Sequence, residues 1–158
     1  MATRVFIHGL EGSSQGNKSQ FFKKRYPDMI IEDYTGSLDE RMDKLRRILA
    51  GKKDLVLVGS SYGGLMAAMY ACDNESAIKK ILLLAPALDL EEFRPYLNQK
   101  IAVSTILYHG RRDDVVPPGP VREIAERVFT NLSHHFVDDD HPLSETFPSF
   151  DWDGLLAD

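Results

Sequence analysis

Leu55-Val56-Leu57-Val58-Gly59-Ser60-Ser61-Tyr62-Gly63-Gly64-Leu65-Met66-Ala67-Ala68 joins two apolar runs through a turn of glycine and serine. Four consecutive aliphatic residues, Leu55–Val58, read as a strand covered on both faces. Leu65–Ala71, small and apolar, reads as a helix buried against a sheet. Between them Gly59-Ser60-Ser61-Tyr62-Gly63 fits G-x-S-x-G with Ser61 at its centre, in the strand–turn–helix context the motif requires. So sharp a turn holds the central serine in a strained backbone conformation, and Gly59 and Gly63 lack the Cβ atoms that would collide across it. The hydroxyl is lifted above the sheet and stands at a helix N-terminus, where unpaired N–H groups favour developing negative charge. Ser61 is the candidate nucleophile; Ser60 lacks the flanking glycine spacing.

Outward from this stretch, short apolar runs alternate with amphipathic ones. Strands are expected at Arg4–His8, Met29–Asp33, Leu55–Gly59, Lys80–Leu84, Thr105–His109 and His134–Asp138. Helices are expected at Asn17–Arg25, Leu38–Leu49, Ser61–Cys72 and Pro120–Phe129, with Ser37 as an N-cap. Alternation of this kind implies an α/β layer fold with a largely parallel sheet and right-handed crossovers. No repeat or linker marks a boundary, so residues 1–158 read as one domain. In Pro142–Asp158 the residues Phe147, Phe150, Trp152, Leu155 and Leu156 need burial, and a terminal helix or coil packed on the sheet edge is expected.

Three further segments carry chemistry. Phe6-Ile7-His8-Gly9-Leu10 ends the first strand in a His-Gly turn. Acyl transfer needs two N–H donors for the tetrahedral oxygen, expected here from the backbone of Leu10 and of Tyr62. His8, Gly9 and Glu11 fall where they would meet substrate, with His8 a hydrogen-bonding residue of the turn; a Glu11 carboxylate facing the site would repel anionic acyl groups. After the fifth strand, His109-Gly110-Arg111-Arg112-Asp113-Asp114 puts a carboxylate at a strand's C-terminal end, where ligands bind in open α/β sheets. Asp113 is the candidate partner for an imidazole and Asp114 its rival. After the sixth strand comes Asp138-Asp139-Asp140-His141, in which His141 is the candidate general base. The neighbouring acids are expected to favour its charged form. They are not expected to bind a metal, since adjacent carboxylates rarely converge on one ion and no second histidine has ligand spacing.

Composition narrows the alternatives. The formal charge is -5, from 24 acidic and 19 basic residues, and the basic clusters Lys23-Lys24-Arg25 and Lys52-Lys53 are short. No phosphate-tracking stripe is present, so nucleic acid is not an expected partner. No stretch approaches the ~20 apolar residues that span a bilayer. Met1–Leu10 enters a strand pattern at once, with no secretory segment, so cytoplasmic residence is expected. The one cysteine, Cys72, excludes an internal disulfide and reads as a packed core thiol.

The order Ser61…Asp113…His141 is that of the α/β-hydrolase triad, and the chain resembles that superfamily over essentially its whole length. More narrowly it resembles the compact bacterial esterases of the YqiA/YcfP type. That likeness rests on His8-Gly9 with Ser13-Ser14 and Lys18, on Gly59–Gly64, on His109-Gly110 with Asp113 and Val116-Pro117, and on Asp140-His141. The resemblance implies a three-layer α/β hydrolase with a mostly parallel sheet of about six strands. It implies cleavage of small-molecule carboxylic esters or thioesters with no cofactor. Only Ala85–Ser104 separates the fourth and fifth strands, too short for a helical cap, so an open site is expected. The competing reading is a catalytically inactive binding protein on the same scaffold. Oligomeric state is not legible.

Overall fold

The computed structural model describes residues 2–157. Six strands, β1 (Thr3–Ile7), β2 (Ile30–Ile31), β3 (Leu55–Ser60), β4 (Ile78–Leu84), β5 (Ser104–Gly110) and β6 (Leu132–Val137), form one sheet in the order β2-β1-β3-β4-β5-β6. Every pairing is parallel, so the sheet is more uniform than the mostly parallel one expected. The helices are α1 (Asn17–Arg25), α2 (Leu38–Leu49), α3 (Tyr62–Asp73), α4 (Pro118–Val128) and a short α5 (Trp152–Leu155). Between β4 and β5 there is only a 3-10 segment, Glu91–Tyr96, and no cap domain. No helix of the described residues is long and apolar enough to cross a membrane.

Local chemistry explains the boundaries. The α2 start is set by a capping box, in which the Glu40 N–H donates to Ser37 Oγ (3.1 Å) and the Ser37 N–H to Glu40 Oε1 (3.2 Å). The expected strand Met29–Asp33 shortens to two residues because the backbone beyond them is diverted. The Tyr34 N–H donates to His8 Nε2, and Asp33 turns its carboxylate to Ser14.

Alternation along the strands divides the core into two layers. Val5, Ile7, Leu55, Leu57, Ile81, Leu83 and Leu107 face α2, α3 and α4. Phe6, Val56, Val58, Leu82 and Leu84 face the other way, onto Phe22 of α1 and onto Leu143, Phe147, Trp152 and Leu156. The C-terminal segment therefore lies across a sheet face, not along the edge as expected. With α1 alone on that side, its apolar strand residues would stand in water, and the tail's aromatic residues cover them. Trp152 is fully buried and donates its indole N–H to Phe147 O (2.8 Å).

The first turn of α3 rests directly on the end of β1. A Cβ on Gly63 would stand 2.6 Å from His8 O and closer still to Ile7 O, both backbone atoms that cannot yield. Gly63 is thus required by close approach of two elements as much as by the turn. Gly63→Ala is expected to destabilise the fold by about 3 kcal/mol or more, read as a lower urea midpoint at unchanged slope.

Candidate active site

Ser61 closes the C-terminal end of β3 and caps α3 with φ 57° and ψ −114°, a left-handed backbone that a non-glycine residue adopts only when held there. The holding groups are visible. The Ser61 N–H donates to Leu84 O (2.8 Å), and its carbonyl accepts from Gly64 (3.0 Å), Leu65 (3.2 Å) and Ala87 (3.0 Å). The helix begins at Tyr62, one residue later than expected, because this conformation at Ser61 is not helical.

Two distant loops bring partners to the Ser61 hydroxyl. His141 Nε2 lies 3.0 Å from Ser61 Oγ, and its Nδ1 lies 2.7 Å from Asp113 Oδ2. An ionised carboxylate only accepts, so Nδ1 carries the proton and Nε2 is left free to accept from Ser61. Asp113 Oδ1 accepts from the N–H groups of Val115 and Val116, each at 2.8 Å. Burial pushes the Asp113 carboxyl up. The N–H of Val116, the His141 imidazole and the N–H of Val115 outweigh burial and hold it below the usual carboxylate range. Asp114 is exposed. The turn that aims Asp113 inward points its neighbour out.

The loop bearing His141 is built on the other acids. Asp139, almost fully buried, accepts from the Thr146 N–H (2.8 Å) and hydroxyl (2.7 Å), from Glu145 (3.1 Å) and from Asp140 (2.8 Å). Burial again works against the charge. The Thr146 N–H and hydroxyl lead the donors that lower this carboxyl to about 2. Asp138 pairs with Arg112 and Asp140 accepts from Ser144. Each of these three carboxylates thus has a donor of its own within or beside the loop. Lys18, reaching over from α1, donates to Pro142 O (2.6 Å) and ties the histidine loop to that helix.

A cavity of about 520 Å³ opens beside Ser61, lined by Phe6, His8, Gly9, Leu10, Glu11, Lys18, Val115, His141 and Pro142 among others. His8 has both ring nitrogens engaged. Nε2 accepts from the Tyr34 N–H (2.9 Å), so Nδ1 carries the proton and donates to Gly9 O (2.7 Å). Gly9 O also accepts from Gly12 (3.1 Å). The plane of the Gly9–Leu10 peptide is fixed by these two bonds, with the Leu10 N–H turned away from them. Among the described residues neither the Leu10 nor the Tyr62 N–H meets an acceptor. Gly9 lies against the elbow, since a Cβ there would be 3.3 Å from Ser61 Cβ and 3.8 Å from Tyr62 N. Glu11 is exposed at the rim. Leu10 and Val115 are the exposed large hydrophobic residues among those described, and both border this opening.

Sequence reasoning assigned no role to His109, which hydrogen-bonds Asp113 from within β5, because it sits inside an apolar strand pattern. Nor did it assign one to Val115, whose exposure depends on the same turn that buries Asp113. Cys72 is half-buried against the core rather than enclosed in it, and burial pushes its thiol up to about 12, away from the thiolate form.

A family model described as the alpha/beta hydrolase fold matches residues 9–102. No curated protein matches the sequence. Among solved structures, the chain is similar to a YdeN-like hydrolase from Pectobacterium atrosepticum, with 22% identity and TM-score 0.77 over 98% of this chain and 86% of that one. It is also similar to Est1E from Butyrivibrio proteoclasticus, with 15% identity and TM-score 0.78 over 94% and 83%. A third likeness is to the esterase Pf2001 of Pyrococcus furiosus, with 20% identity and TM-score 0.74 over 97% and 77%.

Proposed function

The chain belongs to the alpha/beta hydrolase family, and from that premise we propose that it is a serine hydrolase cleaving carboxylic esters or thioesters through an acyl-enzyme on Ser61. The observation that carries this reading is the continuous hydrogen-bonded chain from Ser61 Oγ through His141 to Asp113, at 3.0 and 2.7 Å. Ser61 Oγ attacks the acyl carbon as its proton passes to His141 Nε2. Asp113 steadies the imidazolium that results. The C–O or C–S bond breaks as the imidazolium returns the proton to the leaving group. Water, deprotonated in turn by His141, then releases the acid and restores Ser61.

The tetrahedral oxygen is received by the free N–H groups of Leu10 and Tyr62, with His8 keeping the Leu10 peptide in orientation. Gly9 leaves room for substrate between the two loops, and Glu11 at the rim disfavours anionic acyl groups. The apolar lip of Leu10 and Val115 suits an uncharged acyl chain. The esterase name of the Pyrococcus furiosus neighbour supports esters as the substrate class, and the residues His8-Gly9, Lys18 and Asp140-His141 favour the compact YqiA/YcfP type within the family.

A fluorophosphonate probe tests the reading. The native chain is expected to be labelled to completion and Ser61→Ala not at all. Absence of labelling on the native chain would make it an inactive binding protein on a hydrolase scaffold. A panel of acyl esters and acyl-CoA thioesters of graded length then identifies the leaving group and the acyl chain.

A further inference from the structure

The carboxylate of Asp113 is fully enclosed and receives four donors. Three belong to the arrangement described above. The fourth is His109 Nε2, 3.1 Å from Asp113 Oδ2, the same oxygen that accepts from His141 Nδ1. His109 Nε2 is also 3.1 Å from Val116 O. Both neighbours of Nε2 are acceptors, so this nitrogen carries the proton. The His109 side chain is completely buried, and its Nδ1 has no partner among the described residues. A second proton on Nδ1 would have nothing to receive it.

On these contacts, and resting on the hydrolase reading, we propose that His109 is a positioning residue. It is a neutral imidazole that fixes the Oδ2 direction of Asp113 without neutralising its charge. The distinction matters for catalysis. A cationic partner would satisfy the carboxylate and weaken its pull on the imidazolium forming at His141. A neutral N–H donor orients the oxygen and leaves the full negative charge available. By bonding Val116 O at the same time, His109 also locks the far end of the acid-bearing loop to β5.

The groups facing His109 agree with its neutrality. Burial pulls it below the ordinary imidazole range, against the opposing influence of the Val116 carbonyl and Asp113; His141 adds to the lowering. On the adjacent strand β6, His134 has a buried Nε2 without a partner and is itself lowered to about 4, by burial first and then by Arg122, His109 and His135, against Glu126. The structure therefore places one charge, Asp113, in hydrogen-bond contact with His109.

The test compares His109→Leu with His109→Gln, whose amide nitrogen reaches where Nε2 stands. His109 lies outside the substrate cavity. His109→Leu is expected to lower kcat about tenfold with KM within twofold, and His109→Gln to recover kcat to within about threefold of the native chain. A folded His109→Leu with native kcat overturns the inference, as does a Gln variant no better than Leu. In case the Leu variant does not fold, nitrogen NMR of the native chain decides the matter. A neutral ring protonated on Nε2 at pH 7 is expected, and an imidazolium or an Nδ1–H tautomer overturns the proposal. A native chain that turns over neither esters nor thioesters fails the hydrolase reading, while the NMR result still decides whether His109 donates to Asp113.

Discussion

Ser61→Ala is expected to lower kcat on a short-chain p-nitrophenyl ester by about a million-fold, to the level of the buffer reaction. Among the described residues Ser61 is the hydroxyl that reaches His141, through the 3.0 Å contact with Nε2. Ser60 also borders the cavity, but no hydrogen bond joins its hydroxyl to an imidazole, so Ser60→Ala should stay within a few-fold of native. The substitution leaves the elbow intact. Alanine at φ 57° bears the same backbone strain as serine, and the bonds from Leu84, Gly64, Leu65 and Ala87 are made by the main chain. Stability should therefore change little while turnover vanishes. Turnover by Ser61→Ala at even a tenth of the native rate would end the acyl-enzyme reading.

Sequence was most informative where local chemistry decides structure. The bounds of α2 follow from apolar spacing and from the Ser37–Glu40 capping box, which needs no knowledge of the rest of the molecule. The buried stretches Leu55–Val58 of β3 and Ile81–Leu84 of β4 are legible for a similar reason, since strand segments covered on both faces carry almost no polar residues. The tail is the opposite case. Its aromatic residues announce burial, but which surface of the sheet lacks cover depends on the number of helices on each side. β2 is shorter than its apolar run because Asp33 and Tyr34 leave the ladder for Ser14 and His8, nineteen and twenty-six positions away.

The site divides along the same line. Ser61 is set by its own turn and needs no distant partner to be recognised. His141 is legible through its position after the last strand. The structural part of the three preceding aspartates is not legible, because their donors Thr146, Ser144 and Arg112 come together with them only in three dimensions. His109 was hidden for a further reason. A histidine alternating with apolar residues along a strand carries no mark that its ring will meet a carboxylate four positions ahead.

Asp113→Asn is expected to lower kcat by about ten-thousand-fold, and Asp114→Asn by less than twofold. Val115 and Val116 each direct an N–H at Oδ1, so the amide oxygen of an asparagine must stay on that side. The amide NH2 then takes the place of Oδ2, facing His141 Nδ1 and His109 Nε2, both of which now carry protons. Donor meets donor on two sides. His141 escapes by moving its proton to Nε2, and an Nε2–H cannot accept from Ser61. The same substitution removes an acid-sensitive element of stability. A carboxyl held below its usual range stabilises the fold at neutral pH and loses that contribution as pH falls through the lowered value. The Asn variant should therefore show a shallower loss of stability on the acid side, alongside its lost turnover. If Asp114→Asn proved the damaging change instead, the turn at residues 113–116 would have to aim the other carboxylate inward, and the pairing of Asp113 with Val115 and Val116 would not survive.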